Sequence, residues 1–414
     1  MHDDGITTTA AVSARTATAA TGSRASRSVV ESTGVPTMSS ANGPSRRDVV
    51  KGGGAIIGGG VLAGCLDDLS SGVVSNDGGE GDSYTVHIEP AGDVTFDSTP
   101  RRWVAENASW ADMGVALGMD APSAVVLTAE YRTWQYEDVP GVSVDTDEIT
   151  SLWQDGISKE LLYDLDADVH FIDPNYMTNL IPNWEQDDVD EIAERVAPFC
   201  GNTSFSTYPW HEAYPYFGLY EATEKVAQVF QRTDRFQALS TFHDEVVAEI
   251  QERLPPESQR PDIALLSPES TDPDAFYPYR LGDTTAYKHW HDLGVGDALD
   301  GSNLQSFTSN RGSIDYEPLL EIDPEIICLY TDQYRPSEEF RDTYLDTLQE
   351  HDTASQLRAV ENGEVYPAGA MYQGPILHLA NLERAARQLY SETFGEDEQL
   401  YDRERLGAIV NGET

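Results

Sequence analysis

The chain has 414 residues and carries 72 Asp plus Glu against 26 Lys plus Arg, a formal net charge of −46. No basic patch is present to neutralise phosphates, which argues against nucleic acid as a partner. Repulsion on this scale destabilises a compact state unless concentrated cations screen it, so the composition is that of a halophilic protein whose acids, spread along the whole chain, are mostly solvating charge.

Residues 1–44 are rich in Thr, Ala and Ser, lack periodicity and read as disordered, with Met38 a second candidate start. Next come Ser45-Arg46-Arg47-Asp48-Val49-Val50-Lys51, a weakly apolar Gly-rich run, and Leu62-Ala63-Gly64-Cys65. This order resembles a twin-arginine export signal ending in a lipobox. The apolar run is far shorter than the ~20 residues a spanning helix needs, so it reads as a processed targeting segment. The resemblance implies that Cys65 is acylated, becomes the mature N-terminus and anchors the protein to the extracytoplasmic face of the cell membrane. Residues 1–64 hold four of the acids and six of the bases, leaving 68 acids against 20 bases from Cys65 onward. Residues 65–83 form a Gly/Ser/Asp tether.

About 320 residues follow, enough for two domains. Cys200 and Cys328 are the only other cysteines and fall in different halves, so no disulfide framework is expected. Short apolar runs read as buried strands: Arg102-Trp103-Val104-Ala105, Ser123-Ala124-Val125-Val126-Leu127, Val169-His170-Phe171-Ile172, Ile263-Ala264-Leu265-Leu266 and Ile326-Ile327-Cys328-Leu329-Tyr330. Their alternation with helical stretches predicts two α/β units with largely parallel sheets. Between them Phe236, Leu239, Phe242, Val246, Ile250 and Leu254 recur at helical spacing, with Thr233 or Asp234 as cap and Pro255-Pro256 as stop. A helix of roughly 21 residues spans about 32 Å, long enough to bridge two lobes. Tyr220, Val226, Val229 and Phe230 mark a shorter helix before it. The expected organisation is an N-terminal lobe over 84–232, a connecting helix over 233–256 and a C-terminal lobe over 257–405.

Catalytic signatures are missing: no Gly-x-Ser-x-Gly, His-Glu-x-x-His or phosphate-loop pattern occurs. His289-Trp290-His291 could suggest a zinc or manganese binder, but histidines two apart on a helix diverge by about 200°. Tyr287-Lys288-His289-Trp290-His291-Asp292-Leu293-Gly294 reads better as a helix ending at Gly294. Asn107-Ala108-Ser109 and Asn202-Thr203-Ser204 are sequons compatible with surface export.

Three segments resemble the solute-binding proteins of ABC importers for iron-siderophores, haem and cobalamin, over about residues 84–395. The first is Pro100-Arg101-Arg102-Trp103-Val104 followed by Ser109-Trp110-Ala111-Asp112-Met113-Gly114-Val115-Ala116-Leu117-Gly118. The second is Ile157-Ser158-Lys159-Glu160-Leu161-Leu162-Tyr163-Asp164-Leu165-Asp166-Ala167-Asp168-Val169, a helix, an aspartate and a strand. The third, Ile314-Asp315-Tyr316-Glu317-Pro318-Leu319-Leu320-Glu321-Ile322-Asp323-Pro324-Glu325-Ile326-Ile327, repeats that phrase in the second half.

The resemblance implies two Rossmann-like α/β lobes joined by one long helix, no catalysis, no cofactor, and a ligand cleft between the lobes at the carboxyl ends of their strands. The loops expected there are aromatic and carry arginine: Tyr131, Arg132 and Trp134, then Tyr176, and in the second lobe Tyr277, Tyr279, Arg280, Arg311 and Tyr372. Aromatic planes with guanidinium donors suit a ferric siderophore, which has apolar faces and polar, often partly anionic oxygens around the metal. The resemblance further assigns Asp112 and Glu317 to docking on the membrane permease. Cobalamin or haem is the alternative ligand within this class, followed by a divalent-metal binder and an exported hydrolase.

Overall fold

The computed structural model describes residues 83–153, 156–307, 312–331 and 337–413. The twin arginines, Cys65, nearly all of the tether and Arg311 lie outside the described residues. Among those described, no helix is long and apolar enough to cross a membrane.

Every apolar run read as a strand is one. Trp103–Ala105 (β3), Ala124–Val125 (β4), Thr150–Ser151 (β5) and Val169–Phe171 (β6) form an all-parallel sheet in the order β5-β4-β3-β6. A second sheet orders Val365–Pro367 (β11), Ile326–Leu329 (β10), Asp262–Pro268 (β7) and Phe276–Tyr279 (β8). In it β8 runs antiparallel to β7, and Gly296–Asp297 (β9) pairs parallel to the start of β7. A hairpin of Tyr84–Ile88 (β1) and Gly92–Phe96 (β2) precedes both sheets, and Tyr84 donates its hydroxyl to Val229 O.

Both faces of each sheet are covered, which is why β3, β4, β6, β7 and β10 read as apolar runs rather than as alternations. Side-chain parity assigns the faces. Trp103, Ala105 and Phe171 point inward with Ile263 and Leu265 to one shared core. Val104 points outward to the first lobe's own outer core with Leu162 and Ile192, while Ala264 and Leu266 pack outward with Leu319 and Leu345 in the second. Cys200 and Cys328 are buried free thiols.

The bridging helix is Thr233–Arg253 (α6), 21 residues long. It buries Leu239, Phe242, Val246 and Ile250 in the shared core, each contributing about 1.5–3 kcal/mol. Its start corrects the expected cap: Arg232 takes the N-cap position without a side-chain hydrogen bond, and Thr233 already lies inside the helix. Asp234 instead supplies a first-turn carboxylate to the helix dipole. Leu219–Val229 (α5) is the shorter helix before it. Two further helices make the junction wider than one rod. Pro375–Leu389 packs against α6 and against Ala108–Ala116 (α1) of the first lobe, and Arg403–Asn411 returns from the second lobe onto α6.

Candidate functional site: an aromatic cavity between the lobes

Beyond the carboxyl ends of the parallel strands lies a cavity of about 620 Å³, in the usual range for a small-molecule site. The first lobe contributes Glu130, Arg132 and Trp134 after β4, Trp153 after β5, and Tyr176 from the helix Pro174–Leu180 (α3) that follows β6. Phe205 and Tyr208 reach it from the connection to α5. The second lobe supplies Tyr277 and Tyr279 from β8, Phe307, Tyr330 just past β10, residues 369–372 past β11, and Arg384 from the helix Pro375–Leu389. Six tyrosines, two tryptophans and two phenylalanines thus surround two guanidinium groups and one carboxylate.

Of the residues expected at a ligand site, the structure gathers Arg132, Trp134, Tyr176, Tyr277, Tyr279 and Tyr372 on this wall. Tyr131 and Arg280 are not there. The backbone at Tyr131 is extended, so Glu130 and Arg132 face the cavity while Tyr131 turns inward, 3% exposed, with its hydroxyl 2.9 Å from that of Tyr136. Arg280 follows the same parity rule: Tyr277 and Tyr279 share one side of β8, and Arg280 leaves on the other. There its Nε donates to Asp297 at 2.6 Å and its Nη2 to Asp300 at 2.9 Å.

Asp112 is a second correction. It is fully buried, and its carboxylate accepts from the backbone N–H groups of Ile376 and Leu377, both at 3.0 Å, and from the Tyr136 hydroxyl at 2.8 Å. It therefore caps the Pro375–Leu389 helix across the lobe junction, where no permease can reach it. A Cβ at Gly374 would approach the Asp112 side chain to 2.7 Å, so glycine is what lets the two chains close. Burial raises this carboxyl to about 7 against the lowering effect of those hydrogen bonds. Glu317, by contrast, is exposed in the first turn of the helix Tyr316–Ile322.

A second tie lies at the cavity's edge. Thr284 donates its hydroxyl to Phe205 O at 2.8 Å, and the Thr285 backbone N–H donates to Ser204 O at 3.1 Å. Gln373 donates to Thr285 O and sits 2.9 Å from His289 Nδ1. His289 is buried in this network while His291 turns to Gly282 O, so the two histidines face different surroundings and do not form one metal site. Both sequon asparagines are also buried: Asn107 caps α1, and Asn202 donates to Glu89 O and Pro215 O, so neither offers a surface for a glycan.

Several wall residues escaped the sequence. Tyr330 directly follows an apolar strand and fits the rule that found Tyr176. Trp153 follows β5, whose two residues, Thr and Ser, carry no apolar signal. Arg384 lies mid-helix, where no loop rule looks; burial lowers its guanidinium to about 10, so it stays charged near neutrality, and it donates to Asn381 Oδ1 at 2.8 Å. Glu106, in a narrow recess that adjoins the cavity beside Glu130, is raised to about 8 by burial and by the charge of Asp173.

Two α/β lobes with a cavity at their junction define a ligand-binding protein. The chain belongs to the periplasmic binding protein family, whose model matches residues 108–372. Membership makes it a substrate-binding protein and not an enzyme. Among solved structures, a periplasmic binding protein from Veillonella parvula is 14% identical over 76% of this chain and 99% of its own, with a TM-score of 0.53. Staphylococcus aureus SirA complexed with staphyloferrin B is 15% identical over 74% and 98%, with a TM-score of 0.51. The triscatecholate siderophore binding protein FeuA from Bacillus subtilis, complexed with ferri-bacillibactin, is 13% identical over 74% and 98%, at 0.50. At these identities the likeness is one of fold. No curated protein sequence matches the chain.

Proposed function

We propose that this protein captures a ferric siderophore outside the cell and delivers it to the permease of an ABC importer. The observation that carries the reading is the cavity wall, where Arg132 and Arg384 stand among ten aromatic rings at the junction of the lobes. A ferric chelate offers flat apolar faces to such rings and oxygen atoms to guanidinium groups, whose charge-assisted hydrogen bonds are the strong kind. Among proteins of this fold, FeuA is complexed with ferri-bacillibactin and SirA with staphyloferrin B, at 13% and 15% identity, which supports the reading without fixing the ligand. The lobes are tied through a continuous core, through Asp112 and through Thr284 and Thr285, so capture involves small movement.

The rest of the assignment comes from the sequence. Export by the twin arginines, lipid on Cys65 and docking through Glu317 would place the receptor beside its permease. Purifying the protein from iron-replete cells tests the ligand, because a ferric siderophore, haem and a corrinoid leave different visible spectra. A haem or corrinoid spectrum would overturn the siderophore assignment.

A further inference from the structure

Gln135 stands in the short turn Trp134–Asp138, which packs against the helix Pro375–Leu389 of the second lobe. The next side chain, Tyr136, donates its hydroxyl to Asp112 at 2.8 Å, so the backbone that carries Gln135 is held at the lobe junction. Gln135 lines the cavity and is only 3% exposed, and neither the nitrogen nor the oxygen of its carboxamide has a hydrogen-bond partner among the described residues. That holds whichever way round the amide is placed. Taking an amide out of water without pairing it is costly, which is why buried polar side chains are nearly always bonded. An apolar side chain of this size would fill the same place without the cost, so the use of the amide lies in what it meets from the cavity.

We propose that Gln135 reads a secondary amide in the scaffold of the ligand, and that the cavity selects ferric chelates whose arms are joined through amide links; the inference rests on the siderophore reading above. The oxygens that bind iron in a hydroxamate or catecholate chelate have given up their protons, so they accept hydrogen bonds and do not donate them. They suit the guanidinium groups of Arg132 and Arg384, which only donate, and they also suit the amide N–H groups of Gln135. They leave the Gln135 oxygen unpaired.

That oxygen needs an uncharged donor from outside the iron shell. A secondary amide carries one N–H donor and one C=O acceptor, so amide links on neighbouring arms satisfy both ends of the carboxamide. An ester link keeps the acceptor and lacks the donor. An ester-linked chelate therefore leaves the Gln135 oxygen buried and unpaired beneath it, and a site built to bond a donor discriminates against the analogue without one.

Two neutral ferric trishydroxamates on one tripod, with arms joined by secondary amides in the first and by esters in the second, test this by quenching of tryptophan fluorescence. The parent is expected to bind the amide-linked chelate about tenfold tighter or more. Gln135→Leu, which keeps the bulk and removes both polar atoms, is expected to bring the two affinities within roughly threefold of each other. Without ligand the same variant should unfold at an equal or higher denaturant concentration than the parent, because an unpaired buried amide is gone. Equal affinities in the parent overturn the amide selection and leave the receptor reading standing. A full preference that survives in Gln135→Leu, or a lower unfolding midpoint in that variant, overturns the role of Gln135. If neither chelate binds the folded parent, the receptor reading falls and this inference with it.

Discussion

Asp112 in α1 and Glu317 in the helix Tyr316–Ile322 are the two acids that the sequence resemblance assigns to docking, and their surroundings are opposite. Every residue of α1 is buried, because the helix lies between the first sheet and the Pro375–Leu389 helix of the second lobe. The helix Tyr316–Ile322 buries only Tyr316 and Leu319 and leaves Glu317 in solvent. An acid inside an all-buried helix must find donors, and Asp112 finds them in another helix's unpaired N–H groups. An acid on an amphipathic helix remains available to a partner. The difference separates the two: Asp112 joins the lobes, and of the pair only Glu317 is exposed as the proposed docking role requires.

The sharpest way to break this contrast is to remove the buried acid. Asp112→Ala strands two backbone donors and the Tyr136 hydroxyl in the core, with an expected loss of about 2–5 kcal/mol in a denaturant titration. A loss below about 0.5 kcal/mol would mean that the lobes are not joined through this residue. Asp112→Asn retains an acceptor oxygen and should lie between parent and alanine.

The buried carboxyls also set a pH dependence. Glu106 ionises at about 8 when folded and near 4.5 when unfolded, so the folded state holds a proton that the unfolded chain releases. Its contribution to stability is complete below about 4.5 and is lost as pH rises through about 8, a change on the order of 2 kcal/mol or more. Glu106→Gln should remove that part of the slope when unfolding midpoints are compared with the parent across pH 5–8. A variant with the parent's slope would place the proton elsewhere.

Binding effects come next in size. Arg132→Ala and Arg384→Ala should each lose about 1.5–3 kcal/mol of ferric-chelate affinity, tenfold or more. Arg280→Ala should bind like the parent, since its guanidinium is committed to Asp297 and Asp300. The smallest effect belongs to Glu317→Ala, expected within about 0.5 kcal/mol of the parent in stability and unchanged in affinity, with any defect confined to iron uptake in cells. Lost affinity in that variant would move Glu317 from docking to the ligand site.

What could be read beforehand follows the same contrast. β3, β4, β6, β7 and β10 are legible because strands buried on both faces are largely apolar, and α6 because its apolar stripe is long; β5, Thr150–Ser151, carries no such signal. The composition of α1, Ala-Ser-Trp-Ala-Asp-Met-Gly-Val-Ala, is apolar on nearly every side and already marks a helix with no solvent face; weighing that would have moved Asp112 inward. The loops after strands pointed to Arg132, Trp134 and Tyr176, but parity within an irregular loop could not be read, so Tyr131 was grouped with its neighbours. Arg384 and Phe205 depend on how the lobes approach each other, a long-range outcome that no local pattern encodes. The export signal and Cys65 remain sequence readings.

The central claim is that the cavity's arginines and rings hold a ferric chelate. Fluorescence titration of the parent and of the Arg132→Ala, Arg384→Ala double variant with a neutral ferric trishydroxamate tests it most directly. The account predicts saturable one-to-one quenching by the parent and affinity reduced by about 100-fold or more in the double variant, both proteins remaining folded by circular dichroism. Equal affinities in the two proteins, or no saturable binding by the folded parent, would contradict it.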